Sequence, residues 1–174
     1  MSKNFTNANK GGPLRTVTDT WITPKWIIDA TGPYDLDPCG HLPDGKPIVE
    51  TASLYFTKEK DGLIQPWFGN VFVNFPYSDA NSWMKKCREE FESGRVESIT
   101  VLCFARTETQ AWQRNVKFAT GINFINKRIR FLNGEGIEKG NGNAPSCLIA
   151  FGEKAFRRIQ GVDGIITRMQ NFNA

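Results

Sequence analysis

From residue 21 onward, apolar runs of strand length alternate with stretches whose apolar residues recur at helical spacing. Thr23-Pro24 followed by Trp26, Ile27 and Ala30 predicts a short helix to about Ala30, with Thr23 as N-cap, Pro24 at the first helical position and Gly32 ending it. Tyr34 to Asp37 reads as a short strand entering the turn Pro38-Cys39-Gly40, and the next twenty residues, rich in Gly and Pro, read as loop. Val71-Phe72-Val73, bounded by Gly69 and Pro76, has the form of a central strand covered on both faces. Trp83, Cys87 and Phe91, spaced by four with Met84 beside Cys87, predict a helix from Ser78 to about Ser93, stopped by Gly94. Ser98 to Phe104 is a further buried strand, Thr109 to Ala119 a helix with Trp112 and Val116 on one face, and Ile122 to Ile125 another strand. Arg128 to Leu132 and Ser146 to Phe151 are expected to form a hairpin at one edge, with a long, mobile loop from Asn133 to Pro145 between them. Strands alternating with helices over short connections give an α/β fold with a parallel or mixed sheet between helices.

Residues 1–20 carry Lys3, Lys10 and Arg15 among polar and small residues, too few apolar groups to offset the entropy of ordering, and are expected to be a flexible basic arm. Residues 21–174 then form one domain, since a chain of 174 residues, 40% hydrophobic, suits one core and leaves no room for a second large domain. No stretch approaches the roughly 18 consecutive apolar residues of a membrane span, and the polar start lacks the apolar run of a signal peptide, so the expected location is the cytoplasm. Cys39, Cys87, Cys103 and Cys147 lie far apart with no C-x-x-C, which gives neither a disulfide framework nor a zinc site. The formal charge of +4 permits a nucleic-acid partner without requiring one.

Asn74-Phe75-Pro76-Tyr77 directly follows the Val71–Val73 strand, so it sits at the carboxyl end of a central strand, where open α/β sheets place ligands. A side-chain amide followed by a backbone carbonyl offers two neighbouring acceptors, able to take both hydrogens of an exocyclic NH₂ and free its nitrogen lone pair for attack. An aromatic ring two residues further on can stack on the planar base carrying that amine once it leaves its nucleic-acid stack. Read alone, the same four residues also make an ordinary turn after a strand.

The tetrapeptide resembles the catalytic motif of amino-methyltransferases that use S-adenosylmethionine. The ordered set of motifs resembles more closely the phage and prophage DNA N-6-adenine methyltransferases of the Dam type. It comprises Trp21-Ile22-Thr23-Pro24, Asp35-Leu36-Asp37-Pro38-Cys39, Phe56-Thr57, Asp61-Gly62-Leu63, Asn74-Phe75-Pro76-Tyr77, Trp83, Arg128-Ile129-Arg130-Phe131 and Ala144-Pro145-Ser146, and spans residues 21 to 151. Phe75 stands where the family motif has proline, and the F-x-G-x-G cofactor fingerprint of larger methyltransferases is absent, Asp37-Pro38-Cys39-Gly40 being its only counterpart.

The resemblance implies a Rossmann-like methyltransferase fold, a mixed and mostly parallel sheet flanked by helices, and methyl transfer from S-adenosylmethionine to the amine of a flipped adenine in DNA. Asn74, Phe75, Pro76 and Tyr77 would be the catalytic residues, Asn74 and the Phe75 carbonyl orienting the amine and Tyr77 stacking on the base. Trp21, Thr23, Pro24, Asp37, Pro38, Cys39 and Asp61 would line the cofactor pocket. Arg128 and Arg130, alternating along their expected strand, would face phosphates. No metal is implied, and a methylated aryl ammonium loses its proton to water without a strong side-chain base. A phage or prophage protein in a bacterial host is the implied setting, with any oligomer unread.

Plainer roles stand beside these: a helix cap for Thr23-Pro24, a core position for Trp21, Asx or D-G turns for Asp37 and Asp61, and a solvated edge for the two arginines. His41 reads as an exposed loop residue, Trp83 and Trp112 as core, and Arg106, Glu108 and Lys127 as borders of the cleft. Cytosine N4 in DNA, adenine in RNA and a protein glutamine are chemically compatible substrates. A catalytically silent methyltransferase-fold protein that binds DNA or a host enzyme is the reading from another class.

Overall fold

The alternation of side chains along each strand, one to either face of a sheet, sorts the apolar residues into two cores. In the computed structural model, which describes residues 21–140 and 144–170, Val71, Val73, Ile99, Val101, Cys147 and Ile149 pack on one face with Trp83, Met84 and Cys87. Phe72, Leu102, Leu148 and Ala150 pack on the other with Ile27, Ile28, Phe156 and Ile159. Both faces are therefore covered, which is why these strands read as unbroken apolar runs.

The elements follow in the order α1 (Lys25–Thr31), β1 (Leu36–Asp37), β2 (Leu54–Tyr55), β3 (Gly69–Val73), α2 (Ala80–Glu92), β4 (Val96–Phe104), α3 (Gln110–Asn115), β5 (Gly121–Ile125), β6 (Ser146–Phe151), α4 (Glu153–Ile159) and β7 (Gly164–Arg168). One seven-stranded sheet has the order β2-β1-β3-β4-β6-β5-β7. The pairs β1–β2, β1–β3 and β3–β4 are parallel, while β6 is antiparallel to β4 and β5, and β7 to β5. Five strands thus point one way and β6 and β7 the other, a mixed and mostly parallel sheet between helices, as the sequence pattern leads one to expect. No described helix is long and apolar enough to cross a membrane.

Four expectations change. Ser146–Phe151 is not half of an edge hairpin but a central strand between β4 and β5, paired from Ile99↔Phe151 to Phe104↔Ser146. All six of its residues are buried, because its alternate side chains enter the cores on the two faces of the sheet. Arg128 to Leu132 belongs to no strand; Ile129 and Phe131 do point into the core and Arg128 and Arg130 outward, but the segment is tied only through isolated bridges of Leu132 to Ile22 and Glu138. The stretch after it is a hydrogen-bonded turn over 133–140 rather than a loose loop, since Asn133 accepts from the N–H groups of Glu135 and Ile137 (both 2.9 Å) and the Lys139 N–H donates to the Phe131 carbonyl (2.7 Å). Residues 141–143, like the expected arm at 1–20, lie outside the described residues.

The fourth change concerns the start of α1. Pro24, not Thr23, occupies the N-cap, with no side-chain cap bond, because the Thr23 hydroxyl is engaged elsewhere. At the other end of the scale α2 is as expected: Asp79 caps it by accepting from the Ser82 N–H, and Gly94 leaves it at φ +73°, a left-handed conformation that costs glycine little. The expectations contained no counterpart of β2, α4 or β7.

Candidate active site

The chain passes from β1 outward to β2 and then returns to place β3 on the other side of β1, so a crevice opens between the carboxyl ends of β1 and β3. Asp37 ends β1 and Asn74 follows β3. Both line a cavity of about 630 Å³, within the size range of cofactor sites. The remaining walls include Trp21 and Thr23, Pro38 and Cys39, Asp61, and Pro76.

The tetrapeptide is divided. Its backbone stays extended through Pro76, at φ −60° and ψ 123°, so successive side chains alternate in direction. Asn74 and Pro76 face the large cavity, while Phe75 and Tyr77 face a second cavity of about 350 Å³ lined also by Met84, Phe104 and Trp112. Trp21 is a wall of both.

Asn74 is held by two acceptors. Its Nδ2 donates to the Trp21 carbonyl and, at 3.0 Å, to Thr23 Oγ1. The carbonyl can only accept, which fixes which end of the amide is nitrogen. Both amide hydrogens are thereby used, and Oδ1 is left buried without a hydrogen-bond partner. An unsatisfied buried acceptor costs about 1–3 kcal/mol, and a donor on a ligand would remove that cost.

Asp37, 5% exposed, accepts at Oδ2 from the Thr51 hydroxyl (2.5 Å) and at Oδ1 from the Cys39 N–H (3.1 Å). The second bond is the Asx turn that the sequence allows. Burial raises the carboxyl's pKa above its usual value, and the Thr51 and Cys39 donors oppose that rise. Burial, reinforced by the Asp37 charge, pushes the Cys39 thiol well above its normal range, so it stays a thiol. Asp61, exposed at the cavity wall with φ +50°, accepts from the Leu63 N–H (3.1 Å) in the D-G turn. Gly62 then lies so close to the Pro38 carbonyl that a Cβ would meet its oxygen at 1.9 Å, and the Trp67 indole donates to the Gly62 carbonyl at 2.8 Å. Asp61-Gly62-Leu63 and Asp37-Pro38-Cys39 are thus two sides of one wall. Pro24 sits at the entrance to α1 beside Thr23 and does not line the cavity.

In the second cavity the Tyr77 ring stacks on Phe104, centroids 4.2 Å apart and planes at 12°. Trp21 meets Phe104 and Phe131 edge-on, at 6.3 and 5.7 Å. The Tyr77 hydroxyl is buried near the Phe104 backbone without a formed hydrogen bond, and burial raises its pKa well above 10, which keeps it a neutral phenol. Arg106 lines this cavity as well. Arg128 and Arg130 line neither cavity; they are exposed on the segment bridged to Ile22, and Arg130 pairs with Glu138 at 3.4 Å. His41, Trp83 and Trp112 are also wall residues, His41 and Trp83 of the large cavity and Trp112 of the small one.

Sequence reading did not find Thr51, Gly62 as a close-packing position, or Phe104. Thr51 lies in a loop with no pattern around it. Phe104 carried a usable signal, being the last residue of an apolar strand and so at the same sheet edge as Asn74.

No individual curated protein matches the chain. Residues 12–171 match the DNA N-6-adenine-methyltransferase (Dam) family, a span that takes in both cavities and every strand of the sheet. With most of its length matched to that family, and with a sheet of the kind expected of a methyltransferase, the chain belongs to the DNA N-6-adenine-methyltransferases of the Dam type, whose activity is methylation of adenine N6 in DNA.

Proposed function

We propose that the protein takes its methyl group from S-adenosylmethionine, bound in the large cavity, and delivers it to the amine of an adenine flipped out of DNA. The observation that carries this reading is the unpartnered Asn74 Oδ1, buried at the cavity wall with its amide nitrogen already committed to Trp21 and Thr23. Such an oxygen is shaped to accept one hydrogen of an NH₂ group, and the Phe75 carbonyl, next along the chain, accepts the other. Both bonds draw the amine out of conjugation with its ring.

The walls suit a cationic donor. Asp37, Asp61 and Asp79 all face the large cavity, against a single lysine, Lys58. S-adenosylmethionine, when bound, supplies a methyl activated by its positive sulfur. Asp37 and Asp61 accept from its ammonium, hydroxyl or adenine donors, while Trp21, Pro38 and Cys39 cover its apolar surface. Tyr77 offers its ring to the flipped adenine in the smaller, apolar cavity, and Arg128 and Arg130 meet backbone phosphates.

The test is to express the wild-type chain and Asn74→Ala beside a plasmid and to digest the plasmid to nucleosides. The wild type yields 6-methyladenine, and the variant lowers it by about 10²–10³-fold, the usual cost of losing one preorganised polar contact to a reacting group. Equal 6-methyladenine from both removes Asn74 from the reaction. 4-Methylcytosine without 6-methyladenine transfers the chemistry to the other base.

A further inference from the structure

Thr23 lies 51 residues before Asn74, at a helix entrance where it would ordinarily serve as a cap, yet it caps nothing. Its side chain is 2% exposed and its Oγ1 accepts from Asn74 Nδ2 at 3.0 Å. The terminal torsion of asparagine is broad and nearly two-fold, so packing alone does not decide which end of the amide faces a cavity. The Trp21 carbonyl, which can only accept, decides it, and Thr23 Oγ1 adds a second anchor that holds the amide there. The Trp21 carbonyl takes one Nδ2 hydrogen and Thr23 Oγ1 the other, and the oxygen of this cavity-lining residue is left buried with no protein partner.

We propose that Thr23 is a positioning residue, whose hydroxyl locks the Asn74 amide with Oδ1 presented to the substrate amine. This rests on the role given to Asn74 above and explains a part of the site which that role leaves open. With the amide reversed, an N–H would confront the N–H of the incoming amine, and the two donors would repel. Trp21 alone anchors one hydrogen and leaves the amide free to swing about that bond; the second anchor removes the swing.

The experiment uses the full chain with Thr23→Val, Thr23→Ser, Asn74→Ala and the double variant Thr23→Val/Asn74→Ala. Single-turnover methylation of adenine-containing DNA is measured beside calorimetric binding of S-adenosylmethionine. Solvent exchange of the Asn74 side-chain amide protons is followed by NMR in the protein without ligand. Thr23→Val should slow methyl transfer about 10- to 100-fold, with donor affinity changed less than about threefold, and should speed exchange of the Asn74 amide protons about tenfold. Thr23→Ser, which keeps the oxygen, should restore both towards wild type. The double variant should be no slower than Asn74→Ala alone, because the lock has nothing left to hold.

An inactive Asn74→Ala with a fully active Thr23→Val overturns the positioning role and leaves that of Asn74 intact. A fully active Asn74→Ala overturns both. A Thr23→Val that loses donor binding in proportion to its rate, with unchanged Asn74 exchange, makes Thr23 a wall of the donor pocket and refutes the lock. If Thr23→Val fails to fold, Thr23→Ser and the NMR measurement on it decide: amide exchange and rate both at wild-type values support the lock, and wild-type exchange with a depressed rate refutes it.

Discussion

The larger cavity, at the ends of β1 and β3, is walled by carboxylates, hydroxyls and an amide, whereas the smaller one, at the ends of β3 and β4, is walled by rings and sulfur-bearing side chains, and Trp21 faces both. One extended tetrapeptide supplies both, its odd and even side chains going opposite ways. Two ligands of unlike chemistry, one charged and flexible, one flat and mostly apolar, can therefore meet across a single strand end without sharing a pocket. In this reading the reacting atoms come together at the partition, beside the open acceptor Asn74 Oδ1.

Damage confined to one cavity should leave binding to the other unchanged, and five substitutions test this in decreasing order of effect. Gly62→Ala drives a Cβ against the Pro38 carbonyl, where the approach would be 1.9 Å, and the strand-end wall must shift. It should cost about 1–3 kcal/mol of stability and abolish measurable binding of S-adenosylmethionine by calorimetry. Tyr77→Ala removes a ring from the apolar side only, so methylation at limiting DNA should fall about 10- to 100-fold, equivalent to a stacking loss of about 1–3 kcal/mol, with donor affinity unchanged. A parallel fall in donor affinity would show that the two cavities are one.

Asp37→Asn should weaken donor binding about tenfold, which corresponds to about 1.4 kcal/mol, while leaving DNA affinity alone. Its effect on stability has the opposite sign. Burial raises the folded-state pKa of Asp37, so the folded chain holds its proton more tightly than the unfolded chain does. Stability from this group is therefore full below the unfolded carboxyl value and is lost as pH rises through the raised folded value. At neutral pH the charged form is a burden, and thermal melting of Asp37→Asn should occur at or above the wild-type temperature. The smallest effect belongs to the arginines outside both cavities: Arg128→Ala and Arg130→Ala should each reduce the salt dependence of DNA binding by about one unit of slope, with the donor unaffected.

Much of this arrangement is legible in the sequence wherever local pattern and burial agree. Val71 to Val73, Ser98 to Phe104 and the Trp83-Cys87-Phe91 spacing mark elements buried on an entire face, and the elements form there. The position of Asn74 followed from the strand before it. The failures lie where pairing is decided over long distances. Ser146–Phe151 looks the same to its neighbours in sequence whether it ends a sheet or bisects one, and only its burial against both β4 and β5 separates the two. Thr23 looks like a cap because the residue that claims its hydroxyl is far away in the chain. β2, two residues long, is set by its partner β1 rather than by any apolar run of its own, Leu54 being 40% exposed. The division of the tetrapeptide between two cavities was derivable from the two-residue period of extended backbone, but not the existence of a second cavity.

Because β6 lies between β4 and β5, the sheet is closed from the middle by a segment synthesised after both of its neighbours. Until Phe151 has left the ribosome, the whole inner edge of β4 is bare and β5 has no neighbour on that side. The stacked ring of Phe104 hangs from that same strand. A nascent chain can therefore carry every wall residue of the larger cavity while the strand that bears Phe104 still lacks its β6 neighbour.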